Sequence, residues 1–423
     1  MGAPRCEEKT ITESATLPPS LLIPAYSNFR CTFCGHCCHT WPVPVTESDV
    51  ERISLVTGRS IQDLPLLSLS EQERRGAGLF GFTRALTKAG GRCSFLDSEG
   101  LCSLHSQAKP SMCSLFPFTF LQCPEGVLCG LSFASSGVLL NAGPPLAEQH
   151  DLLLSMLDLF ERLNPGLMEE SVRGFENLRL ASELPLAYEL YLPLQRALEE
   201  SLEPLFLNPP YAVLPLLARL FQNLRLMAYD YAGEKNIRAS SEFLFEGEKS
   251  DAYLISTYLE FFFPQSQSPD NMVPEHLLIS SLAELVEQEP RARDLPAAGR
   301  LKRLRLERIN LPPEVEELFL RYVHMRVFTR LYFGPGYSSL SLVSGLGHLF
   351  LMVLLAHLKF KLDVLTLERQ PSSSEAVTLA GEAIRLVESK WSSLRYTSPN
   401  SRHMLEFFFL DPERPLRMLD LAY

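Results

Sequence analysis

The segment CTFCGHCC carries four cysteines in eight residues, Cys31, Cys34, Cys37 and Cys38, and no other feature restricts the fold of this chain so tightly. A free cysteine usually packs singly as a small hydrophobe, and packing alone does not account for such a cluster. Two-residue gaps let a tight loop turn successive sulfurs toward one centre, as a tetrahedral zinc or an iron–sulfur cluster requires. Gly35 suits that loop, because wrapping backbone around a metal often demands a positive φ. Cys37 and Cys38 are adjacent, and neighbouring side chains diverge from the backbone. Their adjacency therefore suggests two ligand directions, toward two centres or toward different corners of one cluster.

A second group follows in GGRCSFLDSEGLCSLHSQAKPSMCSLFPF. It places Cys93, Cys102 and Cys113 among glycines, with Pro110 ahead of the last. Loops and short strands can bring these three against the first group, so that seven thiols converge. A disulfide framework is the competing reading, but it belongs to small exported chains. The N-terminal segment has no basic start followed by an apolar run, which sets the expectation of a reducing, cytoplasmic setting. Metal ligation is the favoured reading. His36, His39 and His105 lie among the cysteines and read as exposed residues or supports of the ligands. His324, His348 and His357 lie on apolar helical segments and read as satisfied core histidines. Cys6, Cys123 and Cys129 read as packing thiols.

Nine of the ten cysteines lie between residues 31 and 129, and none follows. That asymmetry divides the 423-residue chain into an N-terminal extension (1–27), a cysteine-cluster domain (28–145) and a helical domain (146–423). The expected fold class is mainly α, a small irregular α+β module followed by a larger all-α domain. In the module, Thr46 and Asp49 can cap a helix that Gly58 stops. Pro124-Glu125-Gly126 can turn a hairpin between β-rich arms. Beyond residue 146, leucines and aromatics recur at helical spacing, as in EQHDLLLSMLDLFERL, HLLISSLAELVEQ and VEELFLRYVHMRVFTRLYF. Linkers are expected around 264–274 and 370–375.

The run SSLSLVSGLGHLFLMVLLAHLKF has the length of a membrane span, yet its histidines, glycines and serines favour a buried core helix. A net charge of -11 argues against binding nucleic acid through the overall field. The basic run RARDLPAAGRLKRLRLER, residues 291–308, is either a solvated helix face or a dock for an anionic partner.

CTFCGHCC together with GRCSFLDSEGLCSLHSQAKPSMCSLFPF resembles the bacterial CxxCxxCC (YkgJ-type) cysteine-cluster family, whose members are taken to chelate zinc or iron. The likeness covers residues 28–142. It matches at Cys31, Cys34, Cys37, Cys38, Cys93, Cys102 and Cys113, and at Lys109-Pro110. It also implies an eighth cysteine near SFASSG, where this chain has Ala134, Ser135 and Ser136. Cys123, Cys129, a serine, a water or a substrate atom is then left to fill that place. Flagellin lysine-N-methylases are long relatives of the family, and ELFLRYVHMRVFTRLYF is similar to their helical core. That likeness implies a 4Fe-4S cluster, S-adenosylmethionine and a protein lysine substrate. No glycine-rich strand-to-helix turn is present for a Rossmann-type methyltransferase, so the cofactor would bind differently. The residues alone leave zinc and iron, and enzyme and binding protein, open.

Overall fold

A computed structural model describes residues 20–40, 43–71, 82–181, 184–208, 212–233, 247–263, 298–367, 369–393, 396 and 399–423. Cys6, the linker around 264–274, the helix expected at HLLISSLAELVEQ and the first part of the basic run lie outside the described residues.

The chain enters through a two-residue strand β1 (Leu21–Leu22), then the short helix α1 (Cys37–Thr40), strand β2 (Val43–Val45) and helix α2 (Glu47–Thr57). Thr46 and Asp49 form the expected capping box, and Gly58 ends α2 in the left-handed region. Strands β3 (Leu66–Ser68) and β4 (Arg84–Leu86) complete an antiparallel sheet in the order β2-β4-β3. A small hairpin of β5 (Lys88–Ala89) and β6 (Arg92–Cys93) delivers Cys93, and helix α3 (Ser111–Leu115) carries Cys113. The sheet and α2 bury a core of Val43, Val45, Val50, Ile53, Leu64, Leu86, Phe95 and Leu104, with Cys93 inside and Cys38, Cys102 and Cys113 packed against it.

Strands β7 (Phe118–Cys123) and β8 (Gly126–Leu131) pair antiparallel as the expected hairpin, and because Cys123 stands opposite Gly126 the turn is Pro124-Glu125, with Gly126 already in β8, to which β1 adds in parallel. This hairpin does not share the small core. Phe118, Phe120, Leu121, Val127, Leu128 and Leu131 belong to the larger core of the helical region. A short helix α4 (Ser136–Leu139) leads into α5 (His150–Leu163) and α6 (Leu167–Phe175). The short pair β9 (Arg179–Ala181) and β10 (Leu184–Pro185) then departs from the expected all-α pattern. It is too brief to leave a periodicity signal.

Helices α7 (Tyr188–Leu207), α8 (Val213–Ala232), α9 (Gly247–Phe262), α10 (Ala298–Leu306), α11 (Pro313–Phe328), α12 (Leu342–Thr366), α13 (Ser373–Ser393), α14 (Pro399–Phe408) and α15 (Arg414–Ala422) follow. The fold is mainly α. Helix α12, the apolar run, is the central element, packing on α8, α13 and α15, and its most apolar window is 94% buried within the protein. A Cβ added at Gly347 would stand 2.4 Å from the Phe409 ring, so the glycine admits a close helix crossing that a larger residue would block.

The described part of the basic run is a solvated helix face, with Lys302, Arg303, Arg305 and Arg308 exposed, and three of its arginines also reach main-chain carbonyls. Arg300 donates to the Phe263 carbonyl at 2.6 Å, Arg303 to that of Leu365, and Arg308 to that of Asp420 at 3.4 Å. These carbonyls lie at the ends of α9, α12 and α15, where backbone acceptors lack intrahelical partners and the dipole favours a cation. The arginines serve as helix C-caps.

Candidate metal centre

Local geometry sets each thiol in place. Gly35 has φ 65°, and a Cβ there would stand 2.6 Å from the Gly100 carbonyl oxygen. The first cysteine loop is thus pressed against the turn that separates Cys93 from Cys102. Asp97 shapes that turn, its Oδ1 accepting from the amides of Glu99 at 2.9 Å and Leu101 at 2.8 Å. Cys102 follows immediately, in an isolated bridge with Leu96. Cys113 is fixed through Asp49, which is fully buried and accepts from the Ser111 amide at 3.0 Å and the Ser111 hydroxyl at 2.7 Å. The carboxylate that caps α2 therefore also holds the start of α3.

The outcome is one cavity of about 680 Å³ lined by Cys31, Cys34, Cys37, Cys38, Cys102 and Cys113. Cys93 is buried beside them, and its charge acts on Cys38, Cys102 and Cys113. All seven candidate ligands thus gather in one region, and every cysteine described is a free thiol. Cys37 and Cys38 do not diverge as their adjacency suggested. The opening turn of α1 leaves their sulfurs 4.0 Å apart, close to the edge of a tetrahedron with Zn–S bonds of ~2.3 Å.

Cys123 and Cys129 are not brought to the cavity. Both are buried in the hairpin, and the Cys123 thiol donates to the Gly126 carbonyl at 3.2 Å. The place expected for an eighth ligand is taken by Ser135, Ser136 and Gly137, which line the cavity. Cys34 Sγ donates to Ser136 Oγ at 3.1 Å. Arg385, from α13, donates to the same hydroxyl at 3.0 Å. Sequence reasoning missed Arg385, because nothing in its helical surroundings marks it.

The histidines stay at the margin. His105 lines the cavity edge-on to Phe33, with ring centroids 4.7 Å apart. His39 Nδ1 lies 3.0 Å from the Gly35 carbonyl, bracing the loop, and burial pushes the His36 imidazole below its ordinary value. In the core, His357 stacks on Phe319 and hydrogen-bonds the Val353 carbonyl at 2.9 Å, as a satisfied core histidine should. His348 meets the Tyr396 hydroxyl at 3.1 Å through Nε2, while its Nδ1 has no partner among the described residues.

The electrostatics suit a cation. Burial pushes the Cys113 and Cys102 thiols up, and thiolates nearby would push them further. Cys37 and Cys38 share one proton: the hydrogen bond between them lowers Cys37 and raises Cys38. Cys34 sits low, because hydrogen bonds with Ser136, the His36 backbone and Thr32 together outweigh its burial. Lys109 lines the cavity and favours the charged forms of Cys37, Cys102 and Cys113. With Cys38, Cys102 and Cys113 pushed up, these groups are neutral thiols in the absence of a cation and would release protons on ligating one, and soft sulfur donors match zinc and iron. Among the described residues no three His, Cys, Asp or Glu side chains close on a single point. The thiols ring the cavity instead, and the donor set fits by its chemistry and its gathering.

No curated protein and no solved structure matches the chain. Residues 30–130, from the residue before Cys31 to the residue after Cys129, match the CxxCxxCC family model, described as "Putative zinc- or iron-chelating domain", and over that stretch the chain carries a CxxCxxCC domain.

Proposed function

We propose that this chain is a cytoplasmic metal-binding protein that holds an iron–sulfur centre through thiols drawn from Cys31, Cys34, Cys37, Cys38, Cys93, Cys102 and Cys113. The observation that carries this reading is the ring of six thiols around one cavity, with Cys93 behind it. One structural zinc takes four ligands in a closed shell. A wider ring suits a polynuclear centre, whose corners are held apart by its own inorganic atoms. Such a centre, when bound, supplies electron-transfer chemistry or cross-links the loops. The chain's part is to supply thiolates, shield them behind the small core, and balance their charge with Lys109.

The test is purification without oxygen followed by elemental analysis and a visible absorption spectrum. Iron with acid-labile sulfide and a broad absorption band supports the reading, and Cys102→Ser should lose at least half of that iron while Cys123→Ser keeps it. A colourless protein carrying zinc and no iron sinks it.

A second reading is favoured by the breadth of the cavity, which leaves room for an organic molecule beside a metal. In it the protein is an S-adenosylmethionine-using protein lysine methyltransferase. Absence of any heat when S-adenosylmethionine is titrated into the metal-loaded protein counts against it.

A further inference from the structure

We propose that Arg385, acting through the Ser136 hydroxyl, is a positioning residue for Cys34, so that the helical region sets how firmly this sulfur is held on a metal. The inference rests on Cys34 as one of the ligands proposed above and is the same for zinc and for iron.

Cys34 is exposed and lies in the loop before α1, outside any regular element. Its hydrogen bonds with Thr32 and the His36 backbone close within that loop. The bond with Ser136, at 3.1 Å, reaches out of it across 102 positions. Ser136 opens α4, and the far end of α4 is fixed from the helical region, where Arg321 of α11 donates to the carbonyls of Val138 at 3.2 Å and Leu139 at 3.0 Å. Arg385 donates to the Ser136 oxygen at 3.0 Å from α13, whose Ala383, Ile384 and Val387 are buried in the large core. A sulfur on a loop is thus tied to a packed helix through one hydroxyl.

The donors and acceptors give this arrangement a direction. A guanidinium carries donors and no acceptor, so the Ser136 oxygen accepts from Arg385. With Cys34 as a thiol, the sulfur donates to the same oxygen, which then receives two donors. Cysteine binds metal as a thiolate, and a thiolate only accepts. Loss of the thiol proton therefore lets the hydroxyl hydrogen turn to the sulfur, and donation then runs without interruption from Arg385 to Ser136 to Cys34. The charges of Cys34 and Cys37 act on Arg385, together with that of Glu382, so the cation stands where ligation adds negative charge. Hydrogen bonds to a ligand orient it and strengthen its hold on the metal. An arginine that only packed against α4 would need neither the hydroxyl nor the cysteine.

The experiment strips metal with excess EDTA from the full-length protein, purified without oxygen, and follows the rate by elemental analysis. Ser136→Ala and Arg385→Gln should each speed the loss roughly 10-fold, as removal of a partner that supports a metal ligand does. Ser136→Thr, which keeps a hydroxyl, should hold the wild-type rate. The double variant should be no faster than Ser136→Ala, because Arg385 acts through that hydroxyl, and neither change should matter in a Cys34→Ser background. Should Arg385→Gln fail to fold, Arg385→Met, which keeps the apolar stem, takes its place. The inference is overturned by a wild-type rate in either single variant, by equally fast loss from Ser136→Thr, by additive effects in the double variant, or by effects that persist without Cys34. The identity of the metal tests the reading above separately: zinc without iron removes the iron–sulfur centre and leaves these rates to decide the role of Arg385. Iron that leaves Cys34→Ser at the wild-type rate does the reverse, because the centre then stands on other thiols. Protein isolated without metal overturns both.

Discussion

Asp49 shows how one side chain joins two levels of structure. It closes the capping box of α2, pairs with Arg52 and receives both donors of Ser111, all while fully buried. Asp49→Ala removes the carboxylate half of the capping box, which accepts from the Thr46 amide, and leaves the Ser111 donors unsatisfied, and such hydrogen bonds to a charged group are together worth about 2–4 kcal/mol. Chemical denaturation should show that loss in the metal-binding module, and metal content should fall because Cys113 loses its anchor; a variant with unchanged metal content would separate the cap from the site. Half of this arrangement was legible in the sequence. Capping is a contact three residues long, so Thr46, Asp49 and Gly58 could be read directly. The bond to Ser111 spans 62 positions and leaves no local pattern. The same contrast separates the seven thiols, whose clustering is itself a signal, from Arg385, which looks like any arginine on an amphipathic helix.

Among the elements, α12 carries the sharpest energetic asymmetry, because an apolar core helix holds two fully buried imidazoles. Burial pushes His357 down to about 4 and His348 to about 3. The folded values lie below the ordinary 6.5, so the unfolded chain binds protons first as the medium is acidified. The stability these histidines contribute is present above pH 6.5 and is lost as pH falls toward 4. Each proton taken up on unfolding is worth about 1.4 kcal/mol per pH unit. His357→Leu should therefore give a shallower decline between pH 6.5 and 4 by up to that amount, read from denaturant midpoints across the range; an unchanged slope would place the acid sensitivity elsewhere. The hairpin β7–β8 and its helical neighbours meet around another buried charge. Glu388 accepts from Ser132 at 3.2 Å and Tyr322 at 3.1 Å and pairs with Arg326, which also lies 4.3 Å over the Trp391 ring. Glu388→Gln leaves that guanidinium unpaired in the interior, and removing one partner of a buried pair costs about 3–5 kcal/mol. The melting temperature of Arg326→Met/Glu388→Leu should recover part of the loss, since both charges then leave together. Turn residues and helical periodicity announced the hairpin and the helices in the sequence. The caps made by Arg300, Arg303 and Arg308 were hidden, because their acceptors are main-chain carbonyls that no side-chain pattern records.

On the scale of the whole molecule, the two hydrophobic cores differ greatly in size, and the cysteines are divided unevenly between them. Cys93, Cys102, Cys113 and Cys38 lie in or against the small core of the cysteine-cluster segment, whereas Cys123 and Cys129 lie in the large one with the hairpin. The CxxCxxCC match runs through both, so the stretch that the family model matches and the division of the interior do not coincide. A core of ten buried residues is the size at which small proteins rely on a metal or a disulfide for stability, and every cysteine among the described residues is a free thiol. The large core needs no such support. Removal of the metal with a chelator should therefore loosen one part of the chain and spare the other. Hydrogen exchange read by mass spectrometry should lose protection in α2, β2, β4 and the turn from Asp97 to Cys102. Protection in β7, β8 and α12 should remain, since their hydrogen bonds close within the large core. If chelation collapses both regions together, the hairpin transmits the state of the metal site into the helices through polar links that include Glu125–Arg330, Ser132–Glu388 and the Leu131 amide to Met325. If it leaves both intact, the thiols are held by packing alone and the metal does not staple the fold.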